Sequence, residues 1–302
     1  MAKEVELSII IVNFNTYSFL KSCLDSILKG DLEGSKYEII VADNSSDNKK
    51  FKLLQQQYPK IRLIANRKNA GFARANNQAI KAVKGEYLLL LNPDTIVAQN
   101  TLKVMLAFMR TDTKVGIATC RVELPNGELD DACHRGFPTP WRALSYFSGL
   151  SSIFPTSLFF NGYHLGYQHM GRTHEIESCV GAFMMIRREV ISQIGGLDED
   201  YFWYGEDLDF CFRAKRRGWQ VMYVPDASII HYKGTSSGIK KYSQQISSAN
   251  RKIQILATKS RFAVMRIFYN KHYRKIYPKW LTWLVLTGIK IKEQFALLKL
   301  RN

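Results

Sequence analysis

Acidic side chains in an otherwise basic protein are the first sign of chemistry in this chain. Its 302 residues carry a formal charge of +17, yet residues 197–231 hold seven carboxylates: Asp198, Glu199, Asp200, Glu206, Asp207, Asp209 and Asp226. They stand among Tyr201, Phe202, Trp203, Tyr204 and Phe210, and a lone histidine, His231, closes the stretch. Carboxylates among aromatics suggest a cleft in which they act on something. A surface helix followed by a strand is the plainer account. Gly205-Glu206-Asp207 has the character of a helix first turn, where the dipole holds a carboxylate ionised, the state a general base needs at neutral pH. Capping is the plainer role for Asp207, and Glu206 suits either acceptor orientation or capping. Asp209 and Arg213, four residues apart, suit a structural ion pair.

Three further polar clusters follow apolar runs directly. LSIIIVN (7–13) leads into Asn13 and Asn15, YEIIVA (37–42) into Asp43-Asn44-Ser45-Ser46-Asp47, and EYLLLL (86–91) into Asn92-Pro93-Asp94-Thr95. Asn, Asp and Ser also make good turns, but three such clusters on one edge of one sheet favour a ligand site. A hard carboxylate such as Asp94 at a strand end suits Mg²⁺ or Mn²⁺ that also coordinates a diphosphate. No GxGxxG follows the first run and no GxxxxGK[ST] occurs anywhere, so phosphates, if bound, must be held by a metal and not by a glycine-rich loop.

The elements that would position these residues alternate regularly. Apolar runs at 7–13, 37–42, 61–65, 86–91 and 115–121 read as buried strands, and helical periods fall at 17–28, 51–58, 73–83 and 101–109. That order predicts an α/β, doubly wound, mostly parallel sheet, in which ligands bind beyond the carboxyl ends of the strands. A later strand is expected over 180–187. Segment 126–131 suits a turn between short strands. Segment 137–163 is rich in aromatics with only Arg142 charged, and suits cover over the cleft, an acceptor lid, a membrane contact or core. His164, His169 and His174, five apart, share no helical or strand face, which argues against a metal cluster there.

Read in order, SIIIVNFN, VADNSSDN, NAGFARANNQAI, LLLLNPDT and GGLDEDYFWYGEDLDFCFRAKRRGW resemble the family 2 glycosyltransferases, closest to rhamnosyltransferase-like members acting on lipid-linked glycans. The resemblance spans about residues 7–238. It implies a GT-A fold, a nucleotide-sugar donor with dTDP-L-rhamnose as first choice, a divalent metal and inversion. Residue by residue, it implies that Asp43 contacts the nucleobase and that Asn69, Gly71 and Asn76 close over the nucleotide. Asn13 and Asn15 share that donor side. Asn92 and Asp94 match the family's DxD-like motif, Asp94 being the metal ligand. Here Asn92 replaces an aspartate, which makes it a ribose contact or a neighbour of the metal. Asp207 matches the general base, His231 a histidine that completes the metal site, and Gly181 with Ala182 a small pair lining the donor pocket. The processive members carry QxxRW and membrane spans, whereas this chain has Arg216-Arg217-Gly218-Trp219; single addition is expected. A nucleotidyltransferase on a similar sheet is the rival enzyme.

Composition bounds the rest. An apolar fraction of 46% with 12% aromatics fits a folded protein. Five scattered cysteines without CxxC spacing and an N-terminus unlike a signal peptide predict a cytoplasmic, reduced protein. The charge is lopsided: residues 240–302 hold 15 Lys/Arg against one acid. Two domains are therefore expected, a catalytic one over 1–238 and a basic helical tail over 239–302, broken near Pro278. With Trp, Tyr and a short apolar run, the tail suits an anchor on the inner face of the cell membrane. Packing on the body and binding of nucleic acid or anionic lipid are its rivals; no nucleic-acid module is visible in the body.

Overall fold

The computed structural model describes residues 5–32, 34–45, 48–234 and 250–301. Ser46 and Asp47 of the second polar cluster, and the start of the basic tail, lie outside the described residues. Nine strands form one sheet: β1 (Leu7–Asn13), β2 (Tyr37–Asp43), β3 (Arg62–Ala65), β4 (Tyr87–Leu91), β5 (Thr95–Val97), β6 (Val115–Glu123), β7 (His174–Ile176), β8 (Phe183–Arg187) and β9 (Gln220–His231). Their order is β3-β2-β1-β4-β8-β6-β9-β5, with β7 also on β9. The run from β3 to β4 is parallel, β8 lies antiparallel to both β4 and β6, and β6 and β9 are again parallel. The sheet is thus mixed, and parallel over most of its paired length. All seven residues of β1 are buried, which is why the run shows no alternation.

Helices supply the crossovers: α1 (Tyr17–Leu28), α2 (Asn48–Gln57), α3 (Phe72–Ile80) and α4 (Thr101–Thr111). The helix expected over 73–83 ends at Ile80 because Ala82 N–H turns back to the Ala79 carbonyl at 2.8 Å. The strand expected over 180–187 begins only at Phe183. Ahead of it, Gly181 N–H bonds the Asp207 carboxylate at 3.1 Å and not a neighbouring strand. The expected turn at 126–131 closes on an isolated bridge between Glu123 and Leu129. β5 and β7, three residues each, are too short to show a period. Where β8 ends, the buried Arg187 guanidinium is held by the carbonyls of Val115 (3.1 Å), Met109 (2.6 Å) and Asp112 (3.1 Å), which supply the acceptors a buried cation needs. All five cysteines are buried and free.

Downstream come α5 (Pro140–Phe147), α6 (Leu150–Ile153), α7 (Arg188–Ile194) and α8 (Glu206–Arg216), then α9 (Arg251–Phe268), a π turn (Tyr269–Tyr273) and α10 (Lys279–Arg301). The break near Pro278 is as the sequence predicts. Of the three accounts of the tail, packing on the body holds for α9 and the π turn. Phe268, Tyr269 and Tyr273 share a buried cluster with Tyr201, Leu208 and Phe212. Polar bonds fix the docking: His272 Nε2 meets Asp209 Oδ1 at 2.7 Å, Arg213 meets Asp209 Oδ2 at 2.6 Å, and Lys271 pairs with Asp198 and Asp200. Gly205 has φ +89°, and a Cβ there would lie 2.3 Å from Val264 of α9. The sequence expectation for Asp209 and Arg213 therefore stands, with a tail histidine added.

Burial alone would raise the Asp209 carboxyl, but His272 and Arg213 bring it below its usual value. Its contribution to stability is complete above the unfolded aspartate pKa of about 3.9 and is lost as the pH falls through the lower folded value. Asp209→Ala leaves the Arg213 guanidinium without its buried counter-charge and His272 without its acceptor, and is expected to cost about 3 kcal/mol. Equilibrium urea unfolding at pH 7, pH 4 and pH 2.5 checks this: the difference between wild type and variant should be nearly unchanged at pH 4 and should shrink only below it.

Candidate active site

The nucleotide side is built at the carboxyl ends of β1 and β2, where Asn13 lies opposite Asp43 in the ladder. Asp43 is buried, and its oxygens are taken by Asn13 Nδ2 (2.8 Å), Ser45 N–H (3.1 Å) and the Tyr17 hydroxyl. Asn15, at φ +58°, adopts the left-handed conformation that asparagine tolerates, and its N–H reaches Ser45 Oγ at 2.7 Å. A chain of amides carries this arrangement to the next loop. Asn66 donates to Asn44 at 2.9 Å, and Asn44 donates to Asn69 Oδ1 and the Gly71 carbonyl, each at 3.2 Å. Gly71, at φ +88°, starts α3 under the 202–205 loop, and a Cβ there would meet the Phe202 carbonyl at 2.9 Å. Asn76 turns its amide onto its own helix, donating to the Phe72 carbonyl at 3.0 Å. The neighbouring Asn77, which the sequence did not single out, clamps Leu197 through both its backbone N–H and C=O.

The second group forms where β5 pairs with β9. Thr95 lies opposite His231, which sets His231 Nε2 3.3 Å from Asp94 Oδ1, with Asn92 Nδ2 3.4 Å from the same nitrogen. The other ring nitrogen, Nδ1, lies 3.3 Å from Asp130 Oδ2. Burial by itself would lower the imidazole pKa, but Asp94 and Asp130 together raise it to about 9. A carboxylate oxygen and an imidazole nitrogen converging in this way suit a divalent ion that takes oxygen ligands and tolerates a nitrogen, such as Mn²⁺. Among the described residues no group of three His, Cys, Asp or Glu could hold a metal ion.

The third group sits at the start of α8. Asp207 Oδ2 takes Arg135 Nη2 at 3.0 Å and Gly181 N–H at 3.1 Å, while Oδ1 takes Leu208 N–H at 2.7 Å. Asp207 therefore accepts a first-turn N–H of its own helix, whose N-cap is Gly205, and ties that turn to Arg135 and Gly181. Glu206 beside it is buried, and its Oε2 has no hydrogen-bond partner among the described residues. Burial first, then the neighbouring Asp207, pushes this carboxyl well above its usual range, so it is a neutral acid. Gly181 faces open space bounded by Phe72, Glu206 and Asp207, none closer than 3.6 Å to a Cβ built there. Ala182 accepts from Asn92 N–H at 3.1 Å. The strip at 179–182 thus joins the Asn92–Asp94 turn to Asp207. Arg135 and Asp130 were missed by the sequence reading because each comes from a loop without a motif. The three carboxylates at 198–200 are structural: Asp198 and Asp200 hold Lys271, and Glu199 bonds Asn77 at 3.0 Å.

The aromatic segment at 137–163 is only in part core: Phe137 packs on the buried clusters, but much of the rest is exposed. Arg142 pairs with Glu177 at 2.5 Å, while Ile153 and Phe159 are 67% and 62% exposed. Phe147 of α5 lies against Lys292 of α10, 3.3 Å from its ring centre. His174 meets His134, at 2.6 Å, and His169 instead bonds the backbone of Gly171.

Residues 5–251 match the family described as "Glycosyltransferase like family 2". The chain is 29% identical over 231 residues to the rhamnosyltransferase WbbL of Escherichia coli K12, covering 74% of this chain and 82% of that protein. It is 26% identical over 215 residues to N-acetylglucosaminyl-diphospho-decaprenol L-rhamnosyltransferase of Mycobacterium tuberculosis, covering 66% and 68%. Among solved structures, the Pyrobaculum calidifontis mannosyltransferase PcManGT, in complex with GDP-Man and Mn²⁺, superposes with a TM-score of 0.57 at 16% identity. That match covers 100% of this chain and 74% of the other. Residues 1–349 of Staphylococcus aureus TarS give 0.55 at 16%, covering 95% and 80%. The fold is GT-A.

Two glycines separate backbone strain from crowding. Gly34 and Gly71 share positive φ, but a Cβ meets nothing within 4 Å at Gly34. Gly34→Ala should cost about 1–2 kcal/mol, the left-handed penalty alone. Gly71→Ala should cost clearly more and loosen the 202–205 loop. Urea midpoints of the two variants measure the difference; equal shifts would show that Phe202 does not press on Gly71.

Proposed function

The chain belongs to glycosyltransferase-like family 2, and from that premise we propose that it moves one sugar from a nucleotide-diphospho-sugar to a lipid-linked glycan, inverting the anomeric carbon. The residues proposed for the donor side are Asn13, Asn15, Asp43, Asn69, Gly71, Asn76 and Asn92, with Gly181 and Ala182 lining the donor pocket; Asn13 and Asn76 are buried and would act by holding the neighbouring loop ends. The names of the two rhamnosyltransferase relatives make dTDP-L-rhamnose the first donor to test. A lipid-linked acceptor is supported by the diphospho-decaprenol in the name of the second. Asp94 and His231 are the residues that would hold Mn²⁺ or Mg²⁺. When bound, the ion supplies Lewis-acid neutralisation of the departing diphosphate.

The observation that carries this reading is the position of Asp207. Its carboxylate, fixed by Arg135 and by Gly181 N–H, is tied through the 179–182 strip to the turn that bears Asp94. In the reaction the acceptor hydroxyl gives its proton to Asp207 as its oxygen bonds the anomeric carbon. The bond from that carbon to the diphosphate oxygen breaks, and nucleoside diphosphate leaves. In this reading Asp207 serves the acceptor side and Asp94 the leaving-group side, as in-line displacement requires. Glu206, uncharged, orients an acceptor hydroxyl without competing for its proton.

Peripheral attachment to the inner face of the cell membrane fits the surface. On α10, Trp280 and Trp283 are 67% and 69% exposed amid lysines, and the Lys292–Phe147 contact joins that helix to the apolar cover. Such a mixture of interfacial aromatics and cations suits an anionic lipid surface. Among the described residues no helix is long and apolar enough to cross a membrane.

A donor screen with Mn²⁺, read as release of free nucleoside diphosphate, tests the reaction; pyrophosphate as product would mean nucleotidyl transfer instead. Asp207→Asn should lower kcat by about 10²–10⁴-fold, and normal turnover would remove Asp207 from the base role. In flotation with anionic vesicles, the wild type should rise with the lipid and a Trp280→Ser/Trp283→Ser protein should largely stay behind. Equal flotation of both would exclude α10 as the contact.

A further inference from the structure

Asp130 is buried, carries a carboxylate and has no part in the reaction as described so far. Its place is rigidly set: its N–H bonds the Val122 carbonyl at 2.8 Å, and its Oδ1 caps the short turn Asp131–Cys133 by accepting from Ala132 N–H at 3.0 Å. The same oxygen takes Lys233 Nζ at 2.5 Å, and Oδ2 faces His231 Nδ1 at 3.3 Å. Nδ1 is thereby turned to the braced Asp130 carboxylate, and Nε2 is the ring atom that faces Asp94 and Asn92. A histidine that binds a metal through one nitrogen commonly donates from the other to a carboxylate, which fixes both tautomer and ring orientation.

We infer that Asp130, braced by Lys233, is a positioning residue that turns His231 so that Nε2 and the Asp94 carboxylate face one point, and so sets the affinity of the site for a divalent cation. The inference rests on the reading of Asp94 and His231 as the metal ligands. Asp130 itself is no ligand: both its oxygens are already engaged by Ala132, Lys233 and His231. The sequence offered no pointer to it, because Asp130 and His231 are 101 positions apart and meet only where β9 ends beside the loop that follows β6.

Capping of the 131–133 turn is the competing role, and serine separates the two. Asp130→Ser keeps an oxygen for Ala132 N–H but is too short to reach His231, whereas Asp130→Asn keeps an acceptor for Nδ1–H. Mn²⁺ affinity is measured by the loss of the free-ion EPR signal in the presence of dTDP, with the unfolding midpoint of each variant alongside. Asp130→Ser should weaken Mn²⁺ binding by about 10–100-fold, Asp130→Asn should restore most of it, and Lys233→Met, which leaves the turn untouched, should fall between. Wild-type Mn²⁺ affinity in Asp130→Ser and Lys233→Met, with loss in His231→Ala, would overturn the positioning role and leave the metal site standing. Unchanged affinity in Asp94→Ala and His231→Ala would overturn both.

Discussion

The active-site half of this protein depends on how a buried carboxylate is satisfied. Asp207 lies in a setting from which most water is excluded, and a charge there must be paired and hydrogen-bonded or it is too costly to keep. Arg135 and the backbone of Gly181 meet that need. Meeting it pulls the 135 loop toward Ser178, with which Arg135 pairs backbone to backbone, and delays the start of β8. The antiparallel entry of β8 between β4 and β6 then sets Ala182 against Asn92. One electrostatic requirement thus couples three stretches of chain that share no local pattern.

Much of the frame was legible in the sequence because it rests on burial. The runs at Leu7–Asn13 and Tyr37–Asp43 lie in a parallel sheet covered on both faces, and such strands announce themselves as unbroken apolar segments. The polar residues at their ends, Asn13, Asp43 and Asn92 with Asp94, were legible for the same reason: each stands where burial stops. Arg135, Asp130 and Asn77 were not. Each acts across more than 70 positions of sequence, from a loop or an ordinary helix face, and no period or spacing in one chain encodes such a meeting. The tail was legible in composition but not in role, since its apolar residues divide between a buried side at Phe268 and Tyr273 and an exposed side at Trp280 and Trp283.

The acid-rich stretch resolves into separate offices. Asp198 and Asp200 fasten the tail through Lys271, Asp209 does so through His272, and Glu199 joins the loop to α3 through Asn77. Asp207 and Glu206 stand apart from these, buried at the start of α8. The loop at 202–205, pinned to Gly71 on one side and Val264 on the other, is shared structure: α3 and α9 rest on the same few residues.

The neutral state of Glu206 changes how the pair is to be counted. To its neighbours, a carboxyl that keeps its proton resembles an amide more than an anion: it donates as well as accepts, and it adds no field. The adjacent acids read in the sequence as two negative charges, yet the pocket holds one, and that one is matched by Arg135. The start of α8 therefore holds one matched charge pair and one uncharged carboxyl, where the sequence alone would place two anions side by side.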